Sequence, residues 1–301
     1  MAADVDQYDR CISISFIGTR DPEATMTPIR RALAALAATT ALVPLGATAA
    51  HADAGPPPNS MASLGDSITR GFNACGFYVD CTSRSFSTGD NSSVNSHYLR
   101  VRAVNPAIGG NNHNDAKTGA KSADMYGQAG TAVSQGVGYV TMLIGANDAC
   151  TGSESSMTPV STYRANIDSA LGRIRSGLPN ARVSVVSVPD IHRLWSVGKG
   201  SVSARTAWSL FGICQSMLAN PTSTAQADVD RRARVRQRVI DYNTQLAQAC
   251  AAYGPNCDFD DNAVFGYPFT LSQLSTWDYF HPNATGQQAL ASVSYAAGFR
   301  W

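Results

Sequence analysis

The stretch MASLGDSIT, residues 61–69, decides the fold that the sequence predicts. Its short apolar run has the pattern of a buried strand, and the glycine, aspartate and serine that end it are typical of a turn. Two more apolar runs of this kind lie at residues 139–148 and 183–189, and helical patterns lie between the strands at residues 120–135 and 159–175. Strands that alternate with helices predict a parallel sheet covered by helices on both faces.

The second half of the chain continues this pattern. A long helix is predicted over residues 227–253 and a closing helix over residues 284–297, with a weak signal for a final strand at CDFDD, residues 257–261. Residues 82–97 and 196–207 are richer in Gly, Ser, Asn and Asp and are predicted to be loops. In a doubly wound sheet the functional site lies at the carboxyl ends of the strands, so we expect the chemistry there.

Residues 26–52 have the pattern of a secretory signal peptide. Two arginines precede an alanine-rich apolar stretch that is too short to anchor the chain in a bilayer, and small residues follow it, so we expect cleavage near Ala52. Residues 1–25 are interpreted as an over-extended start, with Met26 as the true initiator; a genuine upstream extension is the alternative. The remaining residues, 53–301, have the length of a single α/β domain, which we expect to be secreted.

The charge of the chain gives no reason to expect a nucleic-acid partner. Lys and Arg number 23 and Asp and Glu number 22, which is close to balance. The one basic run, RRARVRQR at residues 231–238, is interpreted as the solvated face of a helix. Beyond the predicted signal peptide, no segment is apolar and long enough to predict a membrane span. We therefore expect no stable membrane insertion. We also expect a monomer.

Six of the seven cysteines lie beyond the predicted signal peptide. An even number in an exported protein favours disulfide bonds, and six cysteines allow fifteen connectivities. A zinc site is the competing explanation, but no CxxC pair or nearby histidine supports it. We predict neither a metal ion nor any other cofactor. The six are Cys75, Cys81, Cys150, Cys214, Cys250 and Cys257.

Ser67 is the first candidate for catalysis, because it directly follows a predicted strand. A serine hydroxyl is a weak nucleophile alone, so it needs a base, a carboxylate that orients the base, and donors for an oxyanion. Thr69 stands where the G-x-S-x-G elbow of α/β-hydrolases has its second glycine, which indicates a different fold. Taken alone, Ser67 is better explained as a turn or helix-cap residue.

The base and its carboxylate are predicted near the end of the chain. The sequence DYFH has Asp278 three residues before His281, and in one helical turn residues with this spacing lie on the same face. Asp278 can then orient the imidazole while the second ring nitrogen of His281 faces Ser67. Without the other motifs, a surface pair that caps the last helix would be the preferred explanation.

Asn147, in the sequence GAND, follows the predicted third strand. Its side-chain amide can donate to an oxyanion, although a lone asparagine here is more often a turn residue. The next residue, Asp148, is interpreted as holding the turn, because a negative charge beside the amide would oppose an oxyanion.

The motifs GDS, GAND and DYFH, in this order between residues 61 and 290, resemble the SGNH/GDSL hydrolase family. The resemblance implies a three-layer α/β/α sandwich with a central parallel sheet, the flavodoxin-like fold, and hydrolysis of esters without a metal. It also implies Ser67 as nucleophile, His281 as base and Asp278 as the orienting carboxylate.

The resemblance also implies an oxyanion hole made by the Ser67 N–H, the Asn147 amide and the N–H of a glycine. The family's glycine usually lies in Asn-x-Ala-x-x-Gly, which both NPAIGG, ending at Gly110, and NDAKTG, ending at Gly119, match. Gly119 is preferred because a helix is predicted from Ala120, and N–H groups at a helix start point outward. Gly110 is the alternative.

Three longer stretches are similar to secreted actinobacterial lipases and esterases of this family: GANDAC, VPDIHRLW and DYFHPNATGQQALA. They also have some similarity to the phospholipase B-like branch of the family. In relatives of this kind, disulfides join cysteines that are consecutive in sequence. The resemblance therefore implies Cys75–Cys81, Cys150–Cys214 and Cys250–Cys257. Trp195, Trp208 and Phe211 are candidates for lining an acyl groove, although core packing is the commoner role of such aromatics.

The predicted function is thus a secreted serine ester hydrolase, a lipase or esterase that acts on a small-molecule or lipid ester. Phospholipase A or B activity and carbohydrate O-acetyl esterase activity are the alternatives within enzymes. Outside enzymes, the alternative is an exported binding protein with a vestigial site.

Overall fold

The computed structural model describes residues 55–301. The predicted signal peptide at residues 26–52 and the extension at residues 1–25 lie outside the described residues.

The described chain is built around a five-stranded parallel sheet with the strand order β2-β1-β3-β4-β5. This is the order of flavodoxin-like doubly wound sheets, so the predicted fold class is confirmed. The strands in chain order are β1 (Met61–Gly65), β2 (Asn112–Asn114), β3 (Tyr139–Leu143), β4 (Arg182–Val185) and β5 (Cys257–Phe259).

Helices follow the strands and cover the sheet. Helices α2, α4 and α8 pack side by side in one layer. The helices in chain order are α1 (His97–Val104), α2 (Met125–Gln135), α3 (Ala146–Ala149), α4 (Val160–Gly177), α5 (Ile191–Gly198), α6 (Val202–Leu210), α7 (Gln215–Leu218), α8 (Gln226–Tyr253), α9 (Ala263–Gly266) and α10 (Ala284–Ala296).

One face of the sheet is apolar. Ala62, Val140 and Val183 are neighbours across β1, β3 and β4 and are fully buried. They belong to the same core cluster as buried residues of α2, α4 and α8. Burial of a valine-sized side chain stabilises the fold by roughly 1.5–3 kcal/mol, so this face supplies much of the stability of the sheet.

The opposite face carries buried hydroxyl groups. Ser63 and Thr141 are neighbours across β1 and β3, and the loop after β1 supplies a partner for each. Ser63 Oγ lies 3.2 Å from Thr88 Oγ1, and Thr141 Oγ1 lies 2.6 Å from Ser87 Oγ. A buried hydroxyl without a partner costs free energy, so these pairs fix the loop against the sheet.

A buried histidine joins α1, β3 and α10 on this same side. The ring nitrogens of His97 lie 2.8 Å from Tyr139 Oη and 2.7 Å from Ser294 Oγ. Burial lowers the pKa of His97 from 6.5 to about 3, so its ring is neutral near pH 7.

The structure differs from the sequence prediction at several elements. The sequence does not predict α1 or β2, a short edge strand of three polar residues. The loop predicted at residues 196–207 is wrong, because α5 extends to Gly198 and α6 begins at Val202. The side chain of Ser201 accepts a hydrogen bond from Ala204 N, so the serine marks a helix start there.

The arginines of α8 are mostly engaged with neighbouring groups. Three of them form ion pairs, and a nearby carbonyl accepts from a fourth, Arg238, at 2.9 Å. The ion pairs are Arg231–Asp228, Arg234–Glu154 and Arg236–Asp190. Among residues 55–301, no helix combines the length and the apolar character needed to cross a membrane.

The carboxyl end of β1 is held by an amide side chain. Gln128 of α2 accepts a hydrogen bond from Gly65 N at 2.8 Å and donates one to Gly65 O at 2.9 Å. Gln128 is 8% exposed, so water offers little replacement for this pair of bonds.

We expect Gln128→Leu to lower the free energy of unfolding by about 2 kcal/mol, because leucine fills the space but removes both bonds to Gly65. Urea denaturation measures the change. Thr131→Leu, on the exposed face of the same helix, is the control and should change stability by less than about 0.5 kcal/mol. Equal effects of the two variants would contradict this role of Gln128.

Candidate active site

Ser67 lies in the turn that follows β1, at the carboxyl edge of the sheet. Gly65 ends the strand, and Phe72 N donates to Ser67 O at 3.0 Å as the chain coils into consecutive turns. Gln287 of α10 fixes this segment, because its Nε2 donates to Ile68 O at 2.8 Å. The Ser67 residue is 5% exposed and sits at the site expected for a doubly wound sheet.

Ser67, His281 and Asp278 form one chain of hydrogen bonds. Ser67 Oγ lies 2.8 Å from His281 Nε2, and His281 Nδ1 lies 2.6 Å from Asp278 Oδ2. Asp278 is 1% exposed, and the His281 side chain is 15% exposed. The structure therefore brings together all three residues that the sequence singles out for nucleophile, base and carboxylate.

The segment that carries Asp278 and His281 is a turn, so the expectation of a helical turn is wrong. Tyr279 has φ +51°, in the left-handed region. Asp278 Oδ1 accepts from the backbone N–H groups of Phe280 at 2.9 Å and His281 at 3.1 Å. Trp208 Nε1 donates to Tyr279 O at 3.0 Å. The carboxylate thus shapes the turn that presents the imidazole.

Asn73 is a fourth member of the site that sequence reasoning misses. Its Nδ2 donates to Asp278 Oδ2 at 2.7 Å, and the residue is 1% exposed. Asn73 has φ +65°, a conformation that asparagine adopts more readily than most residues. Nothing in the sequence relates two residues that are 205 positions apart.

Asn147 lies in α3, the single helical turn that follows β3. Its Nδ2 donates to Ala120 O at 3.0 Å. Gly145, just before α3, has φ +131°, and a Cβ atom there would collide with Val188 and approach Tyr163 closely. Glycine is therefore required where β3 turns into α3, and this turn sets the position of Asn147.

Gly119 lies beside Asn147, because Asn147 bonds to the carbonyl of the next residue, Ala120. Gly119 has φ +83° in an exposed turn. Among residues 55–301, the N–H groups of Gly119 and Ser67 donate no hydrogen bond. The reason for which the sequence prefers Gly119 is wrong, however, because the chain first enters a 3₁₀ turn and α2 begins only at Met125.

Gly110 lies at the end of the sheet formed by the amino ends of the strands, opposite Ser67. It precedes the amino end of β2, whereas Ser67 follows the carboxyl end of the parallel neighbour β1. The Gly110 N–H is already engaged and donates to Tyr98 Oη at 3.0 Å.

The structure contains the three disulfide bonds that the resemblance implies. Cys150–Cys214 lies beside the proposed oxyanion donor Asn147, because Cys150 ends the helical turn that carries it. Ser216 strengthens this link, since its Oγ donates to Ala149 O at 2.8 Å. The other two bonds are Cys75–Cys81 and Cys250–Cys257.

Asp66, directly before Ser67, is a buried carboxyl group outside the hydrogen-bonded chain. It is 0% exposed; Oδ1 accepts from Ile68 N at 2.9 Å, and Oδ2 has no partner among the described residues. Burial raises the pKa of Asp66 from 3.8 to about 7, and the charge of Asp148 adds to the rise, whereas the Ile68 N–H and His281 oppose it.

Asp148 has a different environment. It accepts from Ser122 N at 2.9 Å and from Ser122 Oγ at 2.7 Å. Its carboxylate therefore holds the short segment that follows Gly119 and leads into α2.

An apolar pocket opens beside the candidate site. Three of its lining residues, Ile68, Ala146 and Phe280, are the sequence neighbours of Ser67, Asn147 and His281. Other apolar lining residues come from α5, α10 and the segment between α9 and α10, and include Ile191, Leu194, Val197, Phe269, Leu274 and Leu290.

The three aromatic residues considered for an acyl groove do not line this pocket. Trp208 is 1% exposed and belongs to the core. Trp195 Nε1 donates to Pro221 O at 2.8 Å, on the other side of α5. Phe211 is 55% exposed.

The arrangement can activate a serine for attack on a carbonyl group. A hydroxyl bonded to an imidazole, which is itself bonded to a buried carboxylate, has the geometry of nucleophilic catalysis. Within residues 55–301 there is no group of three or more His, Cys, Asp or Glu side chains that could hold a metal ion.

A flavodoxin-like sheet with serine, histidine and aspartate at its carboxyl edge has the architecture of an α/β enzyme of the serine hydrolase type. The sequence profile of the GDSL-like lipase/acylhydrolase family matches residues 63–289. The chain therefore belongs to this family of ester hydrolases.

Several solved structures are similar to the chain. An extracellular lipase from Streptomyces rimosus is 20% identical over 79% of this chain and 99% of that chain, with a TM-score of 0.45. Phospholipase A1 from Streptomyces albidoflavus is 18% identical over 78% and 95%, with a TM-score of 0.44. An acetyl-xylooligosaccharide esterase from Geobacillus is 15% identical over 80% and 95%, with a TM-score of 0.48. No curated protein sequence matches the chain.

The raised pKa of Asp66 predicts how stability depends on pH. In the unfolded chain the carboxyl loses its proton near pH 4, but in the folded protein it keeps the proton until about pH 7. The folded state therefore binds more protons between these values, and the stability of the wild type falls as the pH rises through this window.

We expect Asp66→Asn to remove this loss, because the amide oxygen can still accept from Ile68 N and has no charge. Relative to the wild type, the variant should gain up to about 4 kcal/mol between pH 4 and pH 8, at roughly 1.4 kcal/mol per pKa unit. Urea denaturation across this range measures the difference. Asp90→Asn, in an exposed loop, is the control, and a pH-independent difference for Asp66→Asn would refute the prediction.

Proposed function

We propose that the protein is a secreted carboxylic ester hydrolase, a lipase or esterase in which Ser67 is the nucleophile, His281 the general base and Asp278 the orienting carboxylate. The observation that carries the proposal is the unbroken chain of hydrogen bonds from Ser67 Oγ through the imidazole to Asp278 Oδ2, at 2.8 Å and 2.6 Å. Membership of the GDSL-like lipase/acylhydrolase family supports ester hydrolysis as the reaction class.

In the first step, His281 Nε2 takes the proton of Ser67 as the serine oxygen attacks the carbonyl carbon of the ester. Asp278 accepts the hydrogen bond from Nδ1, so it fixes the tautomer and stabilises the imidazolium that forms. Asn73 donates to the same carboxylate oxygen at 2.7 Å and keeps it oriented toward the ring. The imidazolium then gives its proton to the departing alkoxide, and the acyl-enzyme remains.

The proposed oxyanion donors are the N–H groups of Ser67 and Gly119 and the side-chain amide of Asn147. The Ser67 and Gly119 N–H groups have no other acceptor among the described residues, and Asn147 is bonded to the peptide next to Gly119. Such donors are already oriented before the reaction begins, and the loss of one typically costs about a hundredfold to a thousandfold in rate.

In the second step, His281 takes a proton from water as the water oxygen attacks the acyl-enzyme. The proton then returns to Ser67 as the acid leaves.

The acyl part of the substrate is proposed to lie in the apolar pocket beside the site. Its lining residues Ile68, Ala146 and Phe280 are the sequence neighbours of Ser67, Asn147 and His281. An apolar pocket gains free energy with each buried methylene group, at about 0.8 kcal/mol. This favours acyl chains longer than acetyl, and thus a lipase, esterase or phospholipase over a carbohydrate O-acetyl esterase.

Export and a single domain over residues 53–301 are part of the proposal. Three disulfide bonds support an oxidising compartment such as the extracellular space, because disulfides form and persist there.

Hydrolysis of p-nitrophenyl esters from acetate to palmitate tests the function. We expect Ser67→Ala to lower kcat/KM by about 10⁴-fold or more, because the nucleophile is lost. Ser92→Ala, an exposed serine in the loop before α1, is the control and should retain full activity. The rate should rise from acetate toward longer chains if the apolar pocket binds the acyl group.

A fluorophosphonate probe distinguishes an enzyme from a binding protein with a vestigial site. The wild type should be labelled, and Ser67→Ala should not. A wild type that neither cleaves an ester nor reacts with the probe would overturn the proposed function.

The disulfide beside the site should matter for turnover. We expect Cys150→Ala with Cys214→Ala to lower kcat by roughly tenfold, because the segment that ends α3 then positions Asn147 less accurately. Cys250→Ala with Cys257→Ala removes a disulfide remote from the proposed donors and is the matched control. If both double variants lose stability but keep the wild-type kcat, the coupling between this disulfide and the site is refuted.

A further inference from the structure

Six large apolar side chains near the candidate site are exposed to solvent. Each is between 49% and 73% exposed, although side chains of this size are usually buried. Together they present an area on the order of several hundred Å², which is large for a patch without a partner. We call them the apolar rim: Phe77, Tyr78, Val79, Leu210, Phe211 and Trp277.

Three distant parts of the chain meet in the apolar rim. The Tyr78 ring centre lies 6.4 Å from that of Phe211 and 6.4 Å from that of Trp277. Trp277 Nε1 donates to Gly76 O at 2.9 Å, which fixes the indole against the Tyr78 segment. The rim is therefore one continuous surface.

The rim borders the proposed catalytic residues. The Phe72 ring centre lies 4.9 Å from the Tyr78 ring and 4.9 Å from the His281 ring. Trp277 directly precedes Asp278. Whatever covers the rim is therefore held next to the imidazole.

The loop that carries Phe77, Tyr78 and Val79 is braced. The Cys75–Cys81 disulfide closes it, and Asn73 N donates to Val79 O at 3.0 Å across its base. These bonds keep the three apolar side chains at the surface and prevent their collapse into the core.

The charge of the rim points to an uncharged partner. Residues 71–79, 209–213 and 275–277 contain no Asp, Glu, Lys or Arg. The nearest charged residues along the first segment, Arg70 and Asp80, pair with each other at 2.8 Å. Arg84 lines a pocket with Gly76 and Trp277, and its guanidinium donates to Ala74 O at 2.7 Å. Tyrosine and tryptophan also favour the boundary between water and hydrocarbon, because each combines an apolar ring with a polar group.

We propose that the apolar rim docks on the surface of aggregated lipid, such as a neutral bilayer, and so delivers the ester bond of a lipid to Ser67. The inference rests on the proposed function, since it names lipid aggregates as the substrate form of the same site. The rim suits this partner because it is uncharged, rich in ring side chains and continuous with the entrance to the proposed triad. Docking of this kind is reversible adsorption and needs no membrane-spanning helix.

Vesicle binding tests the proposal without turnover. The full chain with Ser67→Ala is sedimented with dioleoylphosphatidylcholine vesicles, alone and with Phe77→Ser and Leu210→Ser, the two most exposed side chains of the rim. We expect the two rim substitutions to lower the partition coefficient by about tenfold or more, because binding scales with buried apolar area. Val104→Ser, 53% exposed at the last residue of α1, is the control and should not change it.

Folding is checked by the thermal midpoint of each variant. With Ser67 intact, the rate on vesicles divided by the rate on dissolved p-nitrophenyl butyrate should fall by a similar factor in the rim variant. Binding that is absent, or equal in the rim and control variants, overturns the docking surface even if the dissolved ester is cleaved. Vesicle binding by a protein that cleaves no ester instead overturns the proposed function. A dimer in sedimentation velocity that the rim substitutions dissociate overturns the lipid surface in favour of a second copy of the chain.

Discussion

A carboxyl group inside a protein needs hydrogen-bond donors around it, and this constraint acts on Asp278, which is 1% exposed. Its donors are the Asn73 amide, the backbone N–H groups of Phe280 and His281, and the His281 ring. These bonds impose the turn in which Tyr279 takes a positive φ, and they join the first βα connection to the segment before the last helix. The position of the imidazole, and with it the contact to Ser67, follows from the hydrogen bonds of this one buried carboxyl group.

The fold was accessible from sequence because its strongest signals are local. The buried strands β1, β3 and β4 appear as short apolar runs, and α4 and α8 show clear helical periodicity. The failures have physical causes as well. Strand β2 consists of three polar residues at the sheet edge, so no apolar run marks it. At residues 196–207, glycine and serine suggest a loop, but Ser201 is the cap of a helix.

The site was accessible only in part. Four residues of the site belong to short motifs whose residue types indicate nucleophilic catalysis: Ser67, Asn147, Asp278 and His281. The order of these motifs along the chain is what relates them to one family. The supporting residues have no such mark. Gln128 and Gln287 bind backbone groups from which they are 63 and 219 positions distant, and Asn73 is 205 positions from Asp278. Their roles depend on tertiary contacts, which one sequence does not contain. The preference for Gly119 is based on a helix predicted from Ala120, but α2 begins only at Met125.

The hydrogen bond between Ser67 and His281 spans 214 positions of the chain. A chain that emerges from the ribosome amino end first therefore carries its proposed nucleophile long before its base, and the two meet only when the sheet is complete and α10 approaches its packing position. Until that moment Ser67 is an ordinary alcohol. The proposed nucleophile therefore gains its base only through folding, so a partly folded chain does not contain the complete proposed triad.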